Sequence, residues 1–87
     1  MLVRLQLRLY VVDGDYLSDT ALKNVRKLLG DEADIDVVDV ARCPQLAREH
    51  GVVAIPTLER VRPEPRKRVI GDLSDREALK KFLGCGQ

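Results

Sequence analysis

Aromatic residues, cysteine and histidine are scarce in this chain, and these shortages exclude several kinds of site. The 87 residues contain no Trp, one Phe, two Tyr, two Cys and one His. The two cysteines, Cys43 and Cys85, form no CxxC motif, and neither is at zinc-ligand spacing from the single histidine, His50. We therefore expect neither a metal nor a cofactor.

Long apolar runs and a large net charge are also missing. The longest apolar runs are too short for a helix that spans a bilayer. The opening residues, MLVRLQLRLY, are interrupted by basic side chains, unlike a signal peptide, so we expect a cytoplasmic protein. Fifteen Lys and Arg residues against fourteen Asp and Glu residues give no general attraction to nucleic acid or to anionic lipid. A chain of this length is expected to form a single domain, residues 1–87.

One local cluster of positive charge is present in RVRPEPRKRV, residues 60–69. It contains a single acid, Glu64, and five basic residues: Arg60, Arg62, Arg66, Lys67 and Arg68. Such a run is typical of a solvated face, but it also suits a patch that binds an acidic partner. Both interpretations remain open at this point.

Alternating and helical patterns along the chain predict seven elements. The order is β-α-β-α-β-β-α, a mixed four-stranded sheet flanked by helices. The strands are expected at Val3–Val11, Ile35–Val40, Thr57–Arg62 and Arg66–Ile70. The helices are expected from a cap at Ser18 or Asp19 to Gly30, from Pro44 to His50 or Gly51, and from the capping box Ser74–Glu77 to Gly84.

This element order is the thioredoxin-like layout, and Asp39–Leu83 resembles the second half of a thioredoxin through its G-x-x-x-I-P-T motif. In that layout the proline before the third strand, Pro56, is expected to follow a cis peptide bond. The alternative is a trans proline that begins an edge strand. The loop Asp13–Thr20 reads DGDYLSDT and lacks the two thioredoxin cysteines, so thiol–disulfide exchange has no nucleophile there.

A closer resemblance extends over nearly the whole chain. LRLYV, VVDVARCPQLA and IGDLSDRE look like the corresponding segments of the KaiB family of cyanobacterial circadian-clock proteins. The resemblance implies a non-enzymatic regulator without catalytic residues, which binds a KaiC-like ATPase, recruits a KaiA-like protein and competes with a thioredoxin-like kinase input domain. It also implies two folds: the thioredoxin-like fold of a monomer, and a ground-state βαββααβ fold of a tetramer.

The resemblance and the charge pattern give two sets of candidate residues. Partner contacts are expected at Arg8, Lys23, Arg66, Lys67 and Arg68. The segment that changes fold in the family is expected to include Pro56, Gly71, Asp72, Ser74, Glu77, Phe82 and Gly84. Because the signals around the last helix all favour a helix, we expect a mostly monomeric, thioredoxin-like protein, with the tetrameric fold a minor population.

Two departures from the family keep other functions open. Thr20 stands where family members usually carry an arginine early in the first helix, and the chain stops at Gln87 without their longer acidic tail. A paralogue that serves another signalling or stress pathway is therefore one alternative. A redox protein with Cys43 as its lone nucleophile is the other, since a helix N-terminus favours a thiolate, although Cys43 lies outside the loop that carries thioredoxin chemistry. A Cys43–Cys85 disulfide is less expected than two free thiols.

Overall fold

The computed structural model describes residues 4–84, which form four strands and three helices. In chain order the elements are β1 (Leu5–Val11), α1 (Tyr16–Leu29), β2 (Ala33–Asp39), α2 (Pro44–Glu49), β3 (Thr57–Arg62), β4 (Lys67–Ile70) and α3 (Arg76–Leu83). None of the helices in this part of the chain has the length and apolar character that crossing a membrane requires. The predicted element order is confirmed.

The strands form one mixed sheet with the order β2-β1-β3-β4. β1 and β2 are parallel, whereas β3 is antiparallel to both β1 and β4. The parallel pair is joined through α1, as a parallel connection requires a crossover. The sheet therefore has two open edges, β2 on one side and β4 on the other.

The apolar core lies on one face of this sheet, which we call the core face. On β1 the alternate residues Leu7, Leu9 and Val11 are buried there, as the period of two in the sequence predicts. The other members of the core come from α1, β2, β3, α3 and the loop before α3: Ala21, Val25, Leu29, Ala33, Leu58, Leu73, Leu79 and Leu83. The residues between them on β1, Arg8 and Tyr10, point to the opposite face, called here the second face.

The start of α1 differs from the prediction. The helix begins at Tyr16, and its N-cap is Asp15, whose carboxylate accepts a hydrogen bond from the Ser18 amide at 2.9 Å. The expected cap at Ser18 or Asp19 is wrong because Ser18 lies inside the first turn. Its hydroxyl donates to Asp15 at 3.0 Å and accepts from the amide of Val12 at 3.1 Å, which ties β1 to the helix.

The start of α3 also differs. Asp75 is the N-cap, and its carboxylate accepts from the Ala78 amide at 3.0 Å. The expected Ser74–Glu77 capping box is therefore wrong. The amide of Ser74 donates instead to Asp72 at 3.0 Å in the preceding turn. The helix ends at Gly84, as predicted, and a φ of 78° at that residue explains why a glycine is suited to the position.

Strand limits shift by one or two residues. β1 begins at Leu5, and Val3 lies outside the described residues. β2 is Ala33–Asp39 instead of Ile35–Val40, and β4 begins at Lys67 instead of Arg66. Such differences are common at the ends of elements, where periodic patterns carry the least information.

Pro56 stands immediately before β3, and the Ile55–Pro56 peptide bond is cis. Because β3 lies between β1 and β4, the alternative of an edge-strand proline does not apply. The carbonyl oxygen of Pro56 accepts a hydrogen bond from the Gly71 amide at 3.0 Å. This bond extends the β3–β4 pairing by one step beyond the strands and fixes its register.

Replacing the two neighbouring candidates for the α3 cap separates their roles. Asp75→Ala is expected to lower the free energy of unfolding by about 1 kcal/mol, because it removes the acceptor for the Ala78 amide. Ser74→Ala is the matched control and is expected to cost less than half of that. Urea unfolding of both variants measures the difference. An equal loss in the two variants would contradict the assignment of Asp75 as the cap.

Candidate functional site

Four charged residues, one from each strand, lie side by side across the second face. In order they are Asp36 on β2, Arg8 on β1, Glu59 on β3 and Arg68 on β4. Each is directly opposite the next in the strand register. We call this set the charged row, and its members alternate in sign along the sequence of strands.

The distances in the charged row identify Glu59 as its centre. Glu59 is only 3% exposed, and its carboxylate lies 3.3 Å from Arg68 Nε and 3.9 Å from Arg8 Nη1. Arg8 Nε in turn lies 3.5 Å from Asp36 Oδ2. Burying a carboxylate costs free energy unless it is paired and hydrogen-bonded. The two arginines therefore make the burial of Glu59 possible.

A tyrosine and a histidine extend the row toward α2. Tyr10 is completely buried; its hydroxyl lies 2.8 Å from His50 Nδ1 and 3.2 Å from Glu59 Oε1. Arg8 Nη1 also reaches the histidine, at 3.2 Å from Nδ1. A hydrogen bond with Tyr10 is the main cause that raises the pKa of Arg8 above its usual value; Asp36 and Glu59 add to it, and burial opposes it. Arg8 therefore stays charged.

Arg68 attaches the end of α2 to the sheet. Its guanidinium donates to the carbonyl oxygens of His50 and, at 3.2 Å, of Gly51, and it stacks 5.8 Å above the centre of the Tyr10 ring. α2 itself has no fully buried residue. Polar contacts to Arg68, Tyr10 and Arg8 thus have a large share in holding this short helix on the second face.

The five predicted contact residues divide into two groups. Arg8 and Arg68 belong to the charged row, and their guanidinium groups are used inside the protein. The other three are exposed: Lys23 on α1, Arg66 just before β4, and Lys67 at its start. Arg68 is also at the surface, but its charge is paired with Glu59, whereas none of these three has an ion pair within residues 4–84.

Arg60 is an exception in the basic cluster, because it is buried. It points to the core face, where its guanidinium donates to the carbonyl oxygen of Pro65 at 3.0 Å and to that of Phe82 at 3.4 Å. The expectation that it contributes to a surface patch is wrong. Arg60 lies two residues after Leu58 on β3, so its side chain points to the same face and reaches the end of α3.

The residues predicted for the fold-switching segment lie along the β4–α3 connection and its neighbours. Asp72 is held by two contacts: its carbonyl oxygen accepts from Asn24 of α1 at 2.8 Å, and the hydroxyl and amide of Ser74 lower the pKa of its carboxyl below the usual value. Six of these residues lie between the end of β4 and the end of α3: Gly71, Asp72, Ser74, Glu77, Phe82 and Gly84. Pro56 lies before β3 and is hydrogen-bonded to Gly71.

Tyr10, His50 and Glu59 were not predicted as parts of a site. A signal for two of them is present in the sequence. Tyr10 lies two residues after Arg8 on β1 and therefore on the same face. Glu59 lies opposite Arg68 once β3 and β4 are paired across the Pro-Glu-Pro turn, residues 63–65. His50 gives no such signal, because it follows a helix whose placement depends on the tertiary fold.

The groups that thioredoxin chemistry or a metal site would need are not brought together in the described part of the chain. Cys43 is exposed at the start of α2 and lies outside the junction of β1 and α1, where Asp13, Gly14 and Asp15 take the place of thiols. Within residues 4–84, no cluster of His, Cys, Asp and Glu is suited to hold a metal ion. The charged row neutralises its own charges, so the groups left for partners are on the exposed strand edges and helix faces.

Comparison with known sequences gives consistent matches to one family. A family model described as the KaiB domain matches residues 8–85. The circadian clock oscillator protein KaiB of Rippkaea orientalis is 44% identical over 77 residues, covering 84% of this chain and 74% of that protein. The protein of the same name from Nostoc punctiforme is 43% identical over the same lengths.

Solved structures with a similar fold include the N-terminal domain of Synechococcus elongatus SasA. It is 28% identical, with a TM-score of 0.74, and the match covers 97% of this chain and 87% of that one. Mitochondrial thioredoxin 3 of Saccharomyces cerevisiae has a TM-score of 0.75 at 19% identity, over 93% of this chain and 77% of that one. The thioredoxin-like fold expected from the element order is therefore confirmed.

Removing the central charge of the row tests its contribution to stability. Glu59→Gln is expected to lower the free energy of unfolding by about 1–3 kcal/mol, because Arg8 and Arg68 lose their shared partner in a largely buried setting. The matched control is Glu64→Gln, which removes an exposed ion pair with Arg62 and is expected to cost less than about 0.5 kcal/mol. Urea unfolding measures both. If the two variants lost equal stability, the row would be no more than a surface feature.

Proposed function

The chain belongs to the KaiB family, and from this membership we propose that it is a non-enzymatic, clock-type regulatory adaptor that binds a KaiC-like ATPase. The observation that carries the proposal is the match of the KaiB domain to nearly the whole described chain. Its relatives are circadian clock oscillator proteins. The start of α1 supports a binding role, since it offers the apolar side chains of Tyr16 and Leu17 to solvent.

Competition with a kinase input domain is the second part of the proposal. The chain shares its fold and 28% of its residues with the N-terminal domain of SasA. Two domains with one backbone layout can present similar surfaces to one partner, so binding of one would exclude the other. A KaiA-like protein is proposed as a further partner of the bound state.

The contact surface that we propose consists of the exposed basic residues of the predicted set. Arg66 precedes β4, Lys67 begins it, and Lys23 lies on the exposed side of α1. Arg8 and Arg68 support this surface indirectly, because they hold the sheet and α2 in place. A partner that offers acidic groups would be attracted to the basic residues and released as salt screens them.

We further propose that this adaptor acts in the cytoplasm as a monomer with the thioredoxin-like fold. The capped helix α3 supports this state, because Asp75 and Gly84 close its two ends and its inner face is buried in the core. The tetrameric ground-state fold would remain a minor population. Sedimentation combined with amide chemical shifts over residues 76–83 measures the two states, and strand shifts in a tetramer as the main species would contradict the proposal.

One observation favours a second candidate function, a family paralogue with a different signalling partner. Thr20 stands where the family resemblance leads us to expect an arginine, and its hydroxyl donates to the carbonyl oxygen of Tyr16 at 2.9 Å inside α1. This position therefore offers a partner no positive charge. Failure of the protein to bind a KaiC ATPase under any nucleotide condition would favour this candidate.

Binding to purified cyanobacterial KaiC tests the adaptor proposal. We expect the protein to bind, and the double variant Arg66→Glu with Lys67→Glu to associate about tenfold more slowly and with a weaker dependence on salt. Surface plasmon resonance over a series of salt concentrations measures both effects.

The matched control is Arg76→Glu with Lys81→Glu, which makes the same change in charge on exposed positions of α3. It is expected to bind nearly as the parent does. Equal association of both double variants and the parent would show that the start of β4 takes no part in binding. Thermal unfolding of each variant verifies that the fold is intact.

A further inference from the structure

The two open edges of the sheet differ in unpaired charge. At one edge the three aspartates of β2 are each paired with an arginine, whereas at the other edge Lys67, which begins β4, and Arg66, which precedes it, have no ion pair within residues 4–84. We propose that the β4 edge is a docking site for an extended, acidic peptide segment of a partner protein, which adds to the sheet as a fifth strand.

The hydrogen bonds of β4 determine which of its backbone groups face outward. Gly71 donates to Pro56, and the residues that exchange bonds with a partner alternate along an antiparallel pair. In the register of β3 and β4, the bonded pairs are therefore Leu58 with Val69 and Arg60 with Lys67. The N–H and C=O groups of Arg68 and Ile70 point away from β3, toward the open edge.

These outward groups are spaced as strand addition requires. Two residues in alternate positions offer two donors and two acceptors, which a peptide in extended conformation can match. Ile70 is 59% exposed, so its side chain leaves the outward backbone groups of the edge accessible. In the described part of the chain no other element pairs with β4 on this side.

A cavity beside the edge supplies a place for an apolar side chain of the peptide. It has a volume of about 240 Å³ and is lined by Val69 and Ile70 of β4, by Ala78 and Leu79 of α3, and by the loop 71–75 between them. In peptide recognition by strand addition, the main chain provides affinity and such a pocket provides specificity. One aliphatic residue in the peptide is therefore part of the proposal.

The charge of the peptide follows from the two basic residues at the start of the edge, whereas Asp72 and Asp75 beside the cavity suit only its apolar residue. Neither Arg66 nor Lys67 has an ion-pair partner within residues 4–84, whereas Arg62 is paired with Glu64 at 3.5 Å. An acidic peptide neutralises the first two. The aspartates of β2 are already paired with Arg4, Arg8 and Arg42, so the β2 edge gives an acidic peptide no comparable attraction.

This inference rests on the proposed role as an adaptor, to which it adds the chemistry of one ligand. Its test uses a synthetic peptide and no ATPase, so the two proposals can fail separately. The probe is a short, fluorescently labelled peptide in which valine or leucine alternates with aspartate or glutamate. The control peptide has lysine in place of every acidic residue.

Fluorescence polarisation and amide hydrogen exchange give the two readouts. We expect the acidic peptide to bind with an affinity that falls with salt, and the lysine peptide not to bind. With the acidic peptide bound, exchange of the Arg68 and Ile70 amides should slow, while the Val69 amide, which already donates to β3, should change little. This alternation is the signature of strand addition at β4 and does not depend on any variant.

Two variants at one position test the role of the outward N–H group. Ile70→Pro removes this donor without removing a bond to β3, and is expected to weaken peptide binding about tenfold. Ile70→Val keeps the donor and is the matched control, expected to bind nearly as the parent. The double variant Arg66→Glu with Lys67→Glu is expected to reduce binding by at least as much as Ile70→Pro.

Three results would overturn the proposal. No binding of the acidic peptide would show that Lys67 and Arg68 only protect the edge from aggregation. Slower exchange along β2 instead of at Arg68 and Ile70 would place the peptide at the wrong edge. A concentration-dependent rise in sedimentation coefficient, with slower exchange along both edges in the absence of peptide, would show that the occupant of the β4 edge is the β2 edge of a second copy.

Discussion

The buried carboxylate of Glu59 constrains the whole second face of the sheet. It lies between Arg8 and Arg68, and each of these arginines has further contacts, to Asp36 on one side and to the end of α2 on the other. The charge of one residue therefore links all four strands and the shortest helix. The core face depends on apolar packing, whereas the second face depends on the pairing of charges in a fixed register.

The basic cluster of residues 60–69 illustrates how one stretch of sequence takes three roles. Arg60 is buried against the end of α3, Arg68 supports Glu59 and α2, and Arg66 and Lys67 remain in solvent. Alternation puts Arg60 and Arg68 on opposite faces, and position in the sheet separates Arg60 from Lys67, because β3 is a central strand whereas β4 is an edge strand. For a member of the KaiB family, it means that the charges which hold the fold and those available to a partner lie within a few residues of each other.

The sequence was informative about elements and less so about side-chain partners. The alternation in β1 and Gly84 after α3 predicted those elements, since both reflect local geometry. The α3 cap at Asp75 was missed because Ser74 and Asp75 are adjacent and both residue types cap helices. The α1 cap at Asp15 was missed because Ser18 and Asp19 give the same signal about one turn later. The contact between Tyr10 and His50 joins residues 40 positions apart, and no local pattern encodes it.

The second helix has a thermodynamic consequence of its own. Because α2 has no fully buried residue of its own, the apolar surface that its detachment would expose includes one large group of the sheet, the Tyr10 ring, which is completely buried against His50 and Arg68. The heat-capacity change and the denaturant dependence of such an opening would be small beside those of unfolding the core face, since each scales with the surface that becomes exposed.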